Sequence, residues 1–321
     1  MTLKVAFQMD PMEGLNIAGD STFALMLAAQ ARGYTNYHYT ADELNYSDGK
    51  VWVTARPVTV QRVAGNHFSF GDPVRIDLGD DVDAILMRQD PPFDLGYITA
   101  THLLERIQHK TLVVNDPVSV RNAPEKVFVL DFAQFMPPTL VTRSLDEVRA
   151  FHKIHGEIVV KPLHGNAGSA VMHIGKDGKN LAAISELFGQ VWREPFMAQA
   201  FIRAVESGDK RIVLVDGEVA GAINRIPGAG EIRSNLAAGG RAEATALTPG
   251  EQAICAAIGP ELKKRGLLFV GIDVIGGKWL TEINVTSPTG IVSMDAFNGT
   301  DTPGLIWDVI EGKIADKKAA A

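Results

Sequence analysis

Three short apolar runs, at residues 3–7, 82–88 and 111–115, alternate along the first third of the chain with segments of helical spacing. Buried-type strands separated by helices run parallel, because an antiparallel return needs only a tight turn, whereas a parallel one needs a crossover of helical length. The stretch STFALMLAAQARG (21–33) sets Phe23, Leu27 and Gln30/Ala31 on one helical face, and YITATHLLERIQHK (97–110) supplies a second helix. The expectation is an α/β domain over 1–121 built on a parallel sheet. Ligands of such sheets lie beyond the carboxyl ends of the strands, so the loops 9–16, 88–94 and 115–121 become substrate-loop candidates.

Farther along, hairpins replace crossovers. LDEVRAFHKIHG (145–156) reads as a helix whose His152 and His155 form a solvated face. EIVVKPLHGNAGSAVMHI (157–174) reads as two strands joined by a glycine-containing loop, and GDKRIVLVDGEVAGAINRI (208–226) as a strand hairpin. A boundary near Arg121 and a further change near residue 200 divide the remainder into 122–200 and 201–321. PGAGEIRSNLAAGGRAEA (227–244), nearly devoid of bulky apolar residues, is expected to be a long loop of the lid type carrying Arg233 and Arg241.

The stretch richest in chemistry is FVGIDVIGGKWLTEINVTSPTG (269–290), two strands joined at Gly276-Gly277. A two-residue turn pairs Ile275 with Lys278 and sets Asp273 opposite Leu280. Alternation then projects Asp273, Glu282 and Asn284 from one face and Val270, Ile272, Val274, Ile283 and Val285 from the other. Two carboxylates as diagonal neighbours repel unless a cation lies between them, and with a carboxamide they form a hard oxygen set of the kind Mg²⁺ takes beside phosphate. A loop of odd length would flip this register.

Positive charge collects around that acidic face. Lys161 ends the apolar strand IVVK, where a buried ammonium calls for an anion, and the following loop (162–171) could fold its N–H groups over phosphate oxygens. Lys210, Arg211, Arg225, Arg233 and Arg241 add a local cationic set suited to small anions, whereas Lys126 taken alone reads as a surface lysine. The chain as a whole is acidic, with 38 Asp+Glu against 31 Lys+Arg and a net charge of −7, which argues against binding a nucleic-acid backbone. One cysteine, an N-terminus without an apolar signal core and no membrane-length apolar run lead to the expectation of a cytoplasmic protein with no membrane partner. Walker-A, G-x-G-x-x-G, H-E-x-x-H, C-x-x-C and G-x-S-x-G patterns do not occur.

Taken in order, Lys126, IVVK with its glycine loop, MAQAFI, GDKRIVLVDGE, NRIP, GIDVIG and TEINVTSPTG resemble the ATP-grasp superfamily. Within it, MRQDPPFD, VVNDPVSVRNAPEK, NLAAGGR and TEINVTSPTG resemble the prokaryotic glutathione synthetase family over nearly the whole chain. The resemblance implies an ATP-grasp fold, two α+β subdomains gripping ATP, behind the N-terminal α/β domain. It also implies ATP-dependent ligation of γ-glutamylcysteine with glycine through an acyl phosphate. Lys126, Lys161 and Lys210 are matched to the nucleotide, Gly165, Asn166, Gly168 and Ser169 to the phosphate-covering loop, and Gln199, Ala200, Phe201 and Ile202 to the adenine segment. Asp273, Glu282 and Asn284 are matched to the Mg²⁺ ligands, with Mn²⁺ a possible substitute. Arg211 and Arg225 match arginines beside the transferring phosphoryl group, and Arg233 on the mobile loop joins them as a catalytic candidate. A homotetramer is the family's usual assembly. Two positions depart from the pattern: Ala167 stands where a glycine is usual, and Arg203 where a proline is common. The same motifs also fit another ATP-grasp carboxylate–amine ligase or a non-catalytic nucleotide binder.

Overall fold

The computed structural model describes residues 2–165, 168–231, 233–235 and 239–320. Through the first 121 residues run β1 (Lys4–Gln8), α1 (Ser21–Ala31), β2 (Thr35–Tyr39), β3 (Asn45–Ser47), β4 (Lys50–Val60), β5 (Phe68–Phe70), β6 (Val74–Asp77), β7 (Ala84–Met87), α2 (Leu95–Glu105), β8 (Leu112–Val114) and α3 (Pro117–Arg121). β2, β1, β7 and β8 lie side by side and parallel, as the alternation requires. The sheet is nonetheless mixed, because β4 pairs antiparallel with β2 and carries β3, β5 and β6. Its period-two pattern, with Val51, Val53 and Ala55 buried and Thr54 and Arg56 outside, marks a one-sided antiparallel strand. The strand order reverses at β1, so the loops after β1 and β7 flank the crevice where such sheets bind ligands. Asp20 and Asp94 cap α1 and α2 by accepting from Phe23 N and Tyr97 N at 2.6 and 2.9 Å.

A second sheet, of order β11-β10-β12-β9, comprises β9 (Thr139–Thr142), β10 (Ile158–Pro162), β11 (Met172–Ile174) and β12 (Phe196–Ala200), backed by α4 (Leu145–His155) and α5 (Leu181–Val191). Gly156 ends α4 at φ 76°, a left-handed position that glycine takes without Cβ strain. His152 is half-buried rather than solvated: its Nε2 lies 2.8 Å from the Gly175 carbonyl, and its ring lies against Gly178.

The third sheet, β15-β14-β13-β16-β17, comprises β13 (Asp209–Val215), β14 (Glu218–Ile226), β15 (Arg241–Ala244), β16 (Phe269–Ile275) and β17 (Trp279–Asn284), with α6 (Pro249–Lys264), α7 (Ile291–Asn298) and α8 (Thr302–Ala320) around it. The long loop therefore ends earlier than the sequence suggests, since Arg241–Ala244 pairs with β14 as an edge strand. α8 returns to the N-terminal layer. There the buried Trp307 donates from Nε1 to the Leu25 carbonyl at 2.9 Å and packs edge-on against Phe7 and Tyr34. The apolar cores of the first and third sheets are thereby continuous, and their junction is one wall of the site.

Candidate active site

The β16–β17 hairpin sets the geometry. Its turn has three residues, pairing Ile275 with Trp279 and not with Lys278, and this alone would flip the faces. A bulge at Thr281 restores them: Val274 lies opposite Leu280, yet Asp273 lies opposite Glu282 and Gly271 opposite Asn284. Asp273, Glu282 and Asn284 thus share a face, as expected, but the two carboxylates are directly opposed rather than diagonal. The Asn284 amide nitrogen donates to the Gly271 carbonyl at 3.1 Å, so its Oδ1 is the end left to ligate.

Strand register also delivers the arginines. Arg211 lies opposite Asp273, and Arg225 opposite Asp209. Arg211 grips Asp273 through Nε and Nη2, and Arg225 grips Asp209 through Nε at 2.7 and Nη2 at 2.6 Å while reaching Asp273 at 3.0 Å. Burial disfavours the Asp273 charge, but the two guanidiniums outweigh it and hold the carboxyl well below the usual range. A carboxylate that accepts an Arg fork still has lone pairs free for a cation.

The lysines approach from the other side. Lys126 Nζ donates to the Gly165 carbonyl at 2.6 Å and lies 3.4 Å from Glu282, with Lys161 3.9 Å from the same carboxylate. Burial pushes the Lys161 ammonium down to about 8 despite Glu282, whereas Lys126, equally enclosed, is held above its ordinary value by Glu282 and Glu125. Glu125 itself is pushed up to about 7, first by burial and then by the neighbouring carboxylates, with Lys126 opposing. The sequence reading passed over Glu125 and Asp209. The signal for the first was an acidic residue wedged between Pro124 and Lys126 before an apolar run.

Lys210 is not brought to this face. Alternation along β13 sends its side chain the other way, to the Ala246 carbonyl at 2.8 Å and to Glu251 at 2.7 Å. Glu251 closes the capping box of α6 with Thr248, so Lys210 fixes that helix start and not a nucleotide.

Between the second and third sheets opens a cleft of about 750 Å³. Lys161, Gly168, Arg233, Asp273 and Glu282 line its polar end, and Val159, Val171, Ala200, Ile202 and Ile275 its apolar end. The N–H groups of Ala200 and Phe201 are taken by Pro138 and Glu157 carbonyls at 3.0 and 2.9 Å. The N–H of Ile202 has no protein acceptor among the described residues, which suits it to a base edge. Gln199 lines the cleft, and its amide donates to the Thr139 hydroxyl at 2.9 Å. Gly168, at φ 75°, packs against the long loop, where an added Cβ would fall 2.8 Å from Asn235 Oδ1. Ser169 is exposed, Asn166 and Ala167 lie outside the described residues, and Arg233 pairs with Glu231 at 2.6 Å. Arg203 pairs with Glu157 at 2.6 Å, which gives the residue standing in the proline's place a structural partner.

A second opening, of about 870 Å³, shares Glu282 with the first and is lined by Asp90, Glu125, Arg211, Arg225, Asn284 and residues 286–290. Asp90 and Pro91 come from the loop after β7, one of the three expected substrate loops. The loop at 115–121 has another task. The buried Asn115 ties the N-terminal layer to the hairpin, donating to the Phe269 and Val285 carbonyls and accepting from Phe269 N. Arg88 is likewise structural at Nε and Nη2, which donate to Thr22 and to the Pro288 carbonyl.

Two carboxylates and a carboxamide on one face, flanked by two lysines and two arginines, fit a divalent cation shared with a polyphosphate. Among the described residues no three His, Cys, Asp or Glu side chains converge on a metal position. A nucleotide cleft between two α+β units, with an oxygen-ligand face at its mouth, defines an ATP-grasp ligase. Solved structures agree on the fold. A D-cycloserine synthetase superposes with a TM-score of 0.69 at 17% identity over 97% of this chain and 99% of that one. The ATP-grasp ligase PsnB, complexed with minimal precursor, superposes at 0.63 and 18% identity over 97% and 99%. Sequence comparison is more specific. Residues 3–121 match the prokaryotic glutathione synthetase N-terminal domain, and residues 125–299 match the ATP-grasp domain of the same family. Glutathione synthetase of Agrobacterium fabrum is 55% identical over 309 residues, 96% of each chain, and that of Rhodopseudomonas palustris 54% identical over 315 residues, 98% of this chain and all of that one. The chain belongs to the prokaryotic glutathione synthetase family.

Proposed function

We propose that the chain joins γ-glutamylcysteine to glycine at the expense of ATP, giving glutathione, ADP and phosphate. The observation that carries this reading is the position of Glu282, which lines both the nucleotide cleft and the second opening, where Arg211 and Arg225 lie. A phosphoryl group leaving one chamber therefore enters the other beside the same carboxylate. Lys126, Lys161 and Ile202 hold the nucleotide. Asp273, Glu282 and Asn284 would hold Mg²⁺, or Mn²⁺ in its place, which when bound neutralises charge on the bridging phosphates. Arg211 and Arg225, fixed in place by Asp273 and Asp209, present positive charge to the dipeptide carboxylate as it attacks the γ-phosphate and to the acyl phosphate that results. The glycine amine then displaces phosphate, and exclusion of water by two loops, the one carrying Gly168 and the long one carrying Arg233, protects the intermediate.

The alternatives, another carboxylate–amine ligase or a non-catalytic nucleotide binder, are separated by one assay. ADP release with ATP and Mg²⁺ should require both γ-glutamylcysteine and glycine. Turnover on D-alanine alone, or ATP binding without turnover, would overturn the reading. The domain division 1–121, 122–200 and 201–321 is part of the same proposal and is supported by three separate sheets. A homotetramer and a cytoplasmic location are proposed on family grounds, and no helix among the described residues is long and apolar enough to cross a membrane.

A further inference from the structure

One loop of the N-terminal layer lines the second opening and also reaches the connection that follows Lys161. At one end, Asp90 and Pro91 line the opening that holds Arg211 and Arg225, with Asp90 Oδ1 accepting from the Ser287 hydroxyl at 2.9 Å and Asp90 N donating to Asp10 at 2.7 Å. Three residues on, the Phe93 ring stacks on His164 with centroids 5.9 Å apart and planes at 23°. Among the described residues this is the one aromatic contact that crosses from residues 1–121 to the second sheet and its connections. Tyr97 packs tilted against Phe93 with ring centroids 5.2 Å apart, and Asp94 anchors the loop by capping α2.

His164 follows the cleft residue Lys161 by three positions and directly precedes Gly165. Lys161, Pro162 and Leu163 before it are buried, and Gly165 after it supplies the carbonyl that holds Lys126 Nζ at 2.6 Å. The backbone there is tightly folded, since a Cβ on Gly165 would fall 2.6 Å from Pro162 Cγ. Displacing His164 therefore moves the Gly165 carbonyl, and with it Lys126.

We infer that Phe93 is a positioning residue that couples occupancy of the carboxylate-substrate pocket to the grip of Lys126 on nucleotide phosphate. Dipeptide settling against Asp90 and Pro91 fixes the loop, the loop fixes Phe93, and Phe93 fixes His164 and Gly165. The coupling is reciprocal, so each ligand tightens the other by the same factor. The inference rests on the proposed substrate.

The test is the affinity of the full-length protein for a non-hydrolysable ATP analogue with Mg²⁺, measured with and without saturating γ-glutamylcysteine. In the parent protein the dipeptide should tighten the analogue roughly tenfold, within the usual range of such couplings. Phe93→Ala should reduce that factor to near one while changing affinity for the analogue alone much less, and Phe93→Tyr, which keeps the ring, should restore it. His164→Ala approaches the same contact from a half-exposed side chain and should act non-additively with Phe93→Ala in a double-mutant cycle. Full coupling in both alanine variants, or none in a parent protein that turns over γ-glutamylcysteine, would overturn the inference. A parent protein that neither binds nor turns over γ-glutamylcysteine would instead overturn the substrate reading beneath it.

Discussion

Arg211 donates to both carboxylate oxygens of Asp273, Nε at 2.5 Å and Nη2 at 2.9 Å, a paired fork formed because the two residues face each other across the β13–β16 register. The charge that should meet the phosphoryl group and a ligand that should meet the cation are thus one mechanical unit. Asp273→Asn removes the ionised partner from two buried guanidiniums. Breaking a buried pair from one side costs on the order of 3–5 kcal/mol, so calorimetry should register a fall in Tm of several degrees together with loss of ADP release. An unchanged Tm would mean the arginines do not depend on Asp273.

Glu282 offers the contrast. It is partly open to both chambers and meets Lys126 and Lys161 at longer range, 3.4 and 3.9 Å. Glu282→Ala should lower turnover by at least about 100-fold, as expected when a group facing the transferred charge is removed, while leaving Tm within a few degrees. Steady-state ADP release and a melting curve on the same sample decide it. An active variant would remove Glu282 from the cation site.

Lys161 makes nucleotide binding depend on pH. Its folded-state value of about 8 lies below the ordinary 10.5, so between those limits the free folded protein holds fewer protons than the unfolded chain and gains stability as pH rises. A bound polyphosphate favours the ammonium and reverses the shift. Binding an ATP analogue at pH 8.5 should then draw in roughly three quarters of a proton, and affinity should weaken from pH 8 to 9.5. Titration calorimetry in buffers of different ionisation enthalpy measures the uptake, which should vanish in Lys161→Met. Equal uptake in both proteins would assign the proton to another group.

The sequence made the site's faces legible but not its register. Alternation along GIDVIG and TEIN places Asp273, Glu282 and Asn284 together whether the turn has two residues or has three followed by a bulge, and no local pattern distinguishes these cases. Lys210 was misplaced because a cationic cluster in one dimension ignores period-two alternation, which in β13 divides Asp209 and Arg211 from their neighbour. The antiparallel additions at 45–77 were readable in the buried–exposed alternation of β4 and were overlooked in favour of the stronger parallel pattern. Asn115 was invisible in its true role, since its partners are backbone groups of Phe269 and Val285, far along the chain.

That junction supports a last prediction. Asn115 is buried, donates both amide hydrogens, to Phe269 O at 2.8 Å and Val285 O at 2.7 Å, and accepts from Phe269 N at 2.8 Å. Asn115→Ala strands three buried backbone groups, each worth about 1 kcal/mol or more when left unpaired, and should lower Tm clearly. Asn115→Asp keeps the shape and one acceptor but turns a carboxylate toward two carbonyl oxygens. Near neutral pH it should therefore be the less stable of the two, although it is the closer isostere. Lowering the pH toward 5 favours the protonated acid, which can donate once, so the gap between the variants should narrow. Melting curves of both variants at pH 5 and 7.5 provide the measurement. An Asp variant as stable as the parent at pH 7.5 would mean the carboxamide does not hold the hairpin to the N-terminal layer.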